Sequence, residues 1–505
     1  MEKTLKISGW ILFSFFALNL IATPFWRIAH DTVFIHYIAQ LIDVFGYIPY
    51  KDIYDTSMPG TFIFHILLGS IFGYTESGLQ LFNFFFTVTF WLINYIYLKN
   101  ISFFPRFIAS FYFLLVYQSF GLEMSLQRDF LSCLFIISSV TIILSNLNYY
   151  LRLTISGILI GIAFTIKPHL GIGLPVIFFM GHKASFKLVV KNYKKLIING
   201  ALYILSFSIP VICSLVWLKV QGGWDDFWFM QKNYIPQYIQ LNASHEYVPG
   251  RLSRLVGSLK RYFYTIPYWR LAFFCLIFGT YLNLKYDKKN KQFWVYNFIL
   301  AFVYSITLIV SGQFFPYHFM SFFLFAFFPI AGFFNTKTPQ KFKYLLYTSV
   351  LVILINNMGQ LPIETIKWAQ GDPPHITHEG RVDRLMKAIK NEYRPEDTIQ
   401  VFDWVEGATT HALMNLNIPH YSKFITDHIF KHHLHLDSKK KLNKEFLLKM
   451  KKNPPTIIIK SLTQNHPKGL FTTKDLPEDF LSFIGKNYLI THKDSDFLVY
   501  RHTEK

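Results

Sequence analysis

Much that a nucleotide-using or disulfide-stapled protein requires is missing from this chain. No GxGxxG follows a strand pattern and no GxxxxGK occurs, so no glycine-rich loop is present to cradle a nucleotide's phosphates. The three cysteines, Cys133, Cys213 and Cys275, each sit inside an apolar run. This excludes a disulfide framework and a cysteine-ligated metal. Solenoid repeats and low-complexity tracts are absent. Acidic residues are scarce, 30 Asp and Glu against 50 Lys and Arg, for a net charge of +20. On a soluble protein that imbalance would suggest nucleic acid. Here the basic residues cluster in short loops between apolar runs, the pattern that orients a membrane protein, so no nucleic-acid partner is expected.

What is present in quantity is apolar and aromatic: 52% hydrophobic residues, with 55 Phe and 30 Tyr. The arrangement decides the class. Runs of about 18 or more apolar residues can cross the ~30 Å hydrocarbon core as helices, and in lipid only a structure that satisfies its own backbone is tolerated. The pattern predicts a polytopic α-helical membrane protein of about eleven transmembrane helices. They fall near 8–26, 78–98, 107–121, 130–147, 153–167, 170–181, 196–219, 265–284, 292–311, 317–334 and 344–357. The first is read as retained rather than as a cleaved signal, because the run from Gly9 to Trp26 is long and lacks a small-residue cleavage site. The short pair 153–167 and 170–181 admits a single bent helix. However, only two spans put the basic loops 99–106, 182–195, 285–291 and 336–343 on one side with Lys3 and Lys6. That side is expected to be cytoplasmic.

On the opposite side fall segment 27–77, the loop near 121–129, the Trp- and Tyr-rich loop 220–264, and everything after 358. The short apolar stretch 61–73 is expected to lie in the interface. Beyond 358 the apolar runs shorten to strand length, at Thr398–Phe402, Thr456–Lys460 and Phe497–Arg501, with helical stretches at 380–391 and 438–452 between them. This alternation predicts a small C-terminal α/β soluble domain. The expected division is 1–357 in the membrane and 358–505 outside it.

Charged groups at membrane depth are expensive and are functional candidates by default. Four clusters stand out, all on the predicted external side. The first combines His30-Asp31 with the run from Pro49 to Gly60, which holds Lys51, Asp52 and Asp55. Asp31 is placed to accept a proton from an incoming hydroxyl or amine; equally, it is placed to cap a helix starting at Thr32. The second is Arg128-Asp129, either a buried pair that orients a helix or an arginine for a phosphate. The third is Lys167-Pro168-His169, where the lysine suits a phosphate or a snorkelling role. The fourth is Tyr317-His318. Snorkelling charges should occur at both membrane faces; an assembly at one face suits an anionic head group presented by a lipid. His428, His432, His433 and His435 include an i, i+4 pair, but no HExxH accompanies them and a solvated polar face accounts for them.

The order of these clusters resembles the GT-C class of integral membrane glycosyltransferases. This class includes aminoarabinose-to-lipid-A transferases, protein O-mannosyltransferases and bacterial dolichyl-phosphate-mannose-type transferases. The likeness runs over nearly the whole chain. It rests on His30-Asp31 after helix one, then Pro49, Tyr50, Asp52, Asp55, Pro59 and Gly60, then Arg128 and Asp129, then Gly157, Gly161, Ala163 and Lys167, and last Tyr317 and His318. One departure matters. Many members carry two adjacent acids where this chain has His30 and Asp31, which leaves Asp31 as the only carboxylate there. A lone carboxylate with an imidazole binds hard cations poorly, so nothing supports a divalent metal, and no cofactor is required.

The resemblance implies a GT-C-like fold and a reaction at the external face of an inner or plasma membrane. A sugar on a polyprenyl-phosphate donor would pass to a lipid, polysaccharide or protein acceptor, with inversion. Asp31 would serve as base. Lys51, Arg128, Lys167 and His318 would be candidates for the departing phosphate, with His30, Asp52, Asp55, Asp129, His169 and Tyr317 supporting or contacting the acceptor. The C-terminal domain would lie over the cavity. Membrane lipids surround the whole. Two other readings compete. One is a ligase or polymerase using diphosphate-linked oligosaccharides, for which Arg251, Arg254, Arg261 and His245 in loop 220–264 speak. The other is a lipid or sugar transporter, which would predict internal repeats and mid-membrane helix breaks.

Overall fold

The computed structural model describes residues 2–28, 30–121, 124–182, 193–238, 240, 256, 267–311, 315–340, 342–344, 378–403, 408–425, 436–462 and 478–504. Residues 345–357 of the expected helix 344–357, residues 183–192 of the basic loop 182–195, most of the second half of loop 220–264 and the four histidines at 428, 432, 433 and 435 lie outside them.

The membrane part is a bundle of helices α1 (Glu2–Ala22), α2 (Asp31–Asp43), α3 (Pro59–Phe72), α4 (Glu76–Tyr97), α5 (Phe103–Ser119), α6 (Arg128–Ile143), α7 (Tyr149–Ile166), α8 (Leu174–His182), α9 (Tyr193–Val220), α10 (224–238), α11 (267–286), α12 (Lys291–Ser311) and α13 (Pro316–Phe334). Five helical stretches among the described residues are long and apolar enough to cross a membrane: Lys6–Phe25, Glu76–Tyr97, Tyr149–Ile166, Tyr193–Val220 and Pro316–Phe334. The protein is therefore an integral membrane protein.

The short pair 153–167 and 170–181 is a hairpin. α7 ends at Ile166, a 3₁₀ stretch runs over Pro168–Gly173, and α8 returns. By His182 the chain is back beside the start of α7, where the Tyr149 hydroxyl meets His182 Nε2 at 2.7 Å. α7 also packs against α9 through Gly157 and Gly161. A Cβ at Gly161 would stand 2.3 Å from the Phe207 carbonyl and one at Gly157 2.8 Å from the Tyr203 carbonyl, so only glycine permits this approach.

At the centre lies α13, buried throughout. Pro329 lacks an N–H and so cannot donate to the Phe325 carbonyl one turn earlier. In an apolar interior that carbonyl needs a substitute, and Asn297 of α12 supplies it, donating from Nδ2 at 2.8 Å. Asn283 of α11 donates to the Pro329 carbonyl at 3.0 Å. Asn297 also accepts from the Tyr97 hydroxyl at 3.2 Å, tying α4 to the same point.

The two ends of the bundle differ in charge. At one end the basic loops gather: Asn290 bonds the Asn100 carbonyl at 3.1 Å, Lys99 and Ser145 line one cleft, and Phe104 contacts Phe334. The other end is capped by the C-terminal domain. Its sheet has the order β1-β2-β4-β3, with β1 (Ile399–Phe402) parallel to β2 (Ile457–Ser461), and with β4 (Phe497–His502) antiparallel to both β2 and β3 (Tyr488–Lys493). The helices are α14 (His378–Glu392), α15 (Thr409–Leu416), α16 (Leu436–Lys452) and α17 (Glu478–Asn487). β3, α15 and α17 were not anticipated. β3 exposes most of its residues as an edge, so it lacks the buried apolar run that marks the other strands.

The domain docks on the first polar segment. Arg27 forks onto Asp383 at 2.9 and 3.0 Å and also reaches Glu76. The Tyr37 hydroxyl donates to the Ile418 carbonyl at 2.8 Å, Gln40 to Asn417 at 3.0 Å, and the Tyr54 N–H to the Lys423 carbonyl at 2.8 Å. α2 is thereby enclosed, with every residue from Thr32 to Ile42 buried.

Replacing Asn297 by Leu leaves the Phe325 carbonyl buried and unpaired, at a cost of about 1–3 kcal/mol. The expected result is a lower thermal midpoint in detergent, while Phe302→Leu on the exposed face of the same helix leaves the midpoint unchanged.

Candidate active site

The capped end holds a cluster built from four helix termini. α2 starts at Asp31, so Asp31 is the first helical residue and not the cap; His30 occupies the cap position and makes no capping bond. The Asp31 carboxylate instead faces Arg128 Nη2 at 3.3 Å and His30 Nδ1 at 3.2 Å. Gln127 lies 3.3 Å from the same His30 nitrogen. The capping alternative for Asp31 therefore gives way to a charge contact with the start of α6.

Arg128 and Asp129 are adjacent in sequence but turn to different partners, as consecutive positions at a helix start do. Arg128 reaches Asp31 and, through Nη1, the Ser57 hydroxyl at 2.7 Å. Asp129, only 1% exposed, lies 3.1 Å from Lys167 Nζ and 3.7 Å from His169 Nε2. Lys167 thus does not snorkel to water. It follows directly on α7, whose end is brought here by Gly60 at the start of α3. A Cβ on Gly60 would stand 2.2 Å from Thr165 Oγ1, and Thr61 donates to the Ile166 carbonyl at 3.2 Å.

The start of α13 completes the cluster. The Tyr317 ring stands 6.3 Å from His30 and 5.8 Å from Lys167 Nζ, and the His318 ring 6.4 Å from His169, centre to centre for the ring pairs. Asp31, Arg128, Asp129, Lys167, His30, His169, Tyr317 and His318 therefore meet in one place. Their fixed charges cancel, two acids against two bases, with three imidazoles beside them. Lys167, His169 and His318 stand on one flank of the cluster around Asp129, and Asp31 on the other, held by Arg128.

The remaining candidates have different settings. Asp55 accepts from the Ser57 N–H at 2.7 Å and Asp52 from the Ile48 N–H at 2.9 Å, so both shape the loop. Lys51 is exposed and makes no polar contact among the described residues, so the structure does not join it to the cluster. Ser57 was missed; its place between Asp55 and the helix-starting Pro59 was the available signal. Gly157, Gly161 and Ala163 belong to the helix carrying Lys167, and the two glycines pack against α9. Among the described residues, no group of three or more His, Cys, Asp or Glu is arranged to hold a metal ion.

The helical membrane bundle beneath its small mixed α/β cap has a fold like that of the GT-C membrane glycosyltransferases. The likeness extends over 98% of both chains to ArnT from Cupriavidus metallidurans, at 11% identity, with a TM-score of 0.58 for the form bound to undecaprenyl phosphate and 0.60 for the apo form. The oligosaccharyltransferase of Archaeoglobus fulgidus in its apo form, at 13% identity, covers 98% of this chain and 74% of its own, with a TM-score of 0.48. No family model and no curated protein matches the sequence. At these identities the likeness is one of fold.

Removing one partner of a buried ion pair leaves an uncompensated charge, at a cost of about 3–5 kcal/mol. Lys167→Met is expected to lower the thermal midpoint in detergent markedly, and Lys167→Met with Asp129→Leu to recover much of the loss.

Proposed function

We propose that the protein transfers a sugar from a polyprenyl-phosphate donor to an envelope acceptor at the capped, external end of the bundle. The observation that carries the reading is the juxtaposition, within a GT-C fold, of an acid held by Arg128 and a basic flank of Lys167, His169 and His318. The undecaprenyl phosphate bound by the ArnT of similar fold supports the donor class.

In this reading the donor lies in the membrane with its phosphate against the basic flank. Asp31 takes the proton from the acceptor hydroxyl. The oxygen attacks the anomeric carbon, the bond from that carbon to the phosphate oxygen breaks, and its electron pair stays on the phosphate. The developing charge is met by preorganised donors, which cost no reorganisation at the moment of reaction. Polyprenyl phosphate leaves. Asp129 keeps Lys167 and His169 in place. The C-terminal domain, packed over α2, restricts the approach of the acceptor and excludes water. The active face is periplasmic or extracellular and the basic loops are cytoplasmic, as the positive-inside pattern requires.

The test is release of free polyprenyl phosphate by purified protein given candidate monophosphate donors and a membrane extract as acceptor source. Release by the wild type, lost by at least about 100-fold in an Asp31→Asn protein that still purifies folded, is expected. Equal release by the variant removes Asp31 as base. Turnover of a diphosphate-linked oligosaccharide alone would replace this reading by the ligase or polymerase one.

A further inference from the structure

We infer that Ser57 is a positioning residue of the active site, acting by holding the Arg128 guanidinium against Asp31; the role assigned to Asp31 rests on the function proposed above. Ser57 is 2% exposed, and its hydroxyl accepts from Arg128 Nη1 at 2.7 Å while Nη2 of the same group faces Asp31 at 3.3 Å. An arginine has a planar fork with fixed donor directions. Fixing one prong on Ser57 therefore fixes the direction of the other.

Ser57 is itself pinned at both backbone groups. Its N–H donates to Asp55 Oδ1 at 2.7 Å, and its carbonyl accepts from the Tyr50 hydroxyl at 2.6 Å. The first half of the loop thus serves its second half: Tyr50 and Asp55 set the backbone, and the backbone sets one hydroxyl.

Backbone strain is concentrated around this contact. Among the described residues four non-glycines have positive φ, and three of them adjoin the trio: His30 at 63°, next to Asp31; Tyr50 at 65°, whose hydroxyl holds Ser57; and Leu126 at 56°, two residues before Arg128. Such conformations cost on the order of 1–3 kcal/mol each and persist only where the surroundings over-determine them. Here the surroundings do so. The Leu126 N–H donates to the Tyr117 hydroxyl at 2.8 Å, and Thr32 Oγ1 donates to the Ser125 carbonyl at 2.8 Å, locking the two strained turns to each other. The strain aims three side chains from distant parts of the sequence at one point. Without the Ser57 hydroxyl, Arg128 keeps its charge but loses its direction. It is then free to swing toward the phosphate side or across the face of Asp31 that the acceptor must reach.

The experiment compares wild type, Ser57→Ala and Ser57→Thr by two readouts. One is steady-state release of polyprenyl phosphate. The other is the rate at which phenylglyoxal modifies Arg128, followed by peptide mass spectrometry, which needs no turnover. Ser57→Ala is expected to lower kcat about 10- to 100-fold with KM for the donor held within about twofold, to raise the Arg128 labelling rate severalfold, and to leave the thermal midpoint in place. Ser57→Thr, which keeps the hydroxyl, restores both readouts. An unchanged Arg128 labelling rate in Ser57→Ala overturns the inference, whatever happens to kcat, and so does a labelling change with unchanged kcat. If the wild type releases no polyprenyl phosphate from any donor, the glycosyltransferase reading fails, and the labelling rate still decides whether Ser57 holds Arg128.

Discussion

A charge taken out of water must find a partner, and the structure follows from how this chain obeys that constraint. The effective penalty for burying an unpaired ion is several kcal/mol, so the apolar lengths of the helices carry almost none. Ions gather at helix ends, and the buried and half-buried ones of the site come in pairs. Asp129 with Lys167 and Asp31 with Arg128 are two such pairs at the capped end. The first ties the start of α6 to the end of the next helix, α7; the second ties the start of α2 to the start of α6, 97 residues further on. The ion pairs thus act as fasteners, and they converge at the candidate site.

The same rule governs the neutral polar groups around the proline in α13. Pro329 breaks the hydrogen bonding of the central helix, and Asn297 and Asn283 repair it from two neighbours. Side-chain amides deep in an apolar bundle are costly unless satisfied. Here they are spent on carbonyls that would otherwise be unsatisfied themselves. The repair also fixes α13 in rotation and height, and α13 begins with Tyr317 and His318. A packing detail in mid-bundle therefore sets the position of two site residues at its end.

α2 links the chemistry to the cap. It starts with Asp31 and is buried along its length between the bundle and the C-terminal domain. The docking of this domain on the bundle runs from Arg27–Asp383 at one side to Tyr54–Lys423 at the other. In the C-terminal domain His420 is buried, accepts from the Val401 N–H at Nε2, and is pushed down to about 4 by burial, so it is neutral near pH 7 and ties β1 to the segment after α15 that meets α2.

Much of this was legible in the sequence, because hydrophobic length and charge position are local properties. Apolar runs become helices in lipid whatever they pack against, so the membrane class, most helix positions, the gathering of the basic loops and the three buried strands could be read directly. So could the likeness to GT-C enzymes, from the order of polar clusters. The pairing was not legible. Nothing in the order Gln127-Arg128-Asp129 says that Arg128 turns to Asp31 and Asp129 to Lys167, that Asp55 serves the backbone of Ser57, or that Lys51 stays exposed. The exposed edge strand β3 and the enclosed helix α2 escaped for a related reason: one lacks a buried apolar run, and the burial of the other is supplied by residues nearly 400 positions away. The sequence alone determined which segments form apolar helices and where their polar residues fall, because hydropathy is decided residue by residue. Only the tertiary structure decided which acid faces which base, because that depends on helix rotation and close approach, and these are set by contacts such as Gly60 with Thr165 and Asn297 with Phe325.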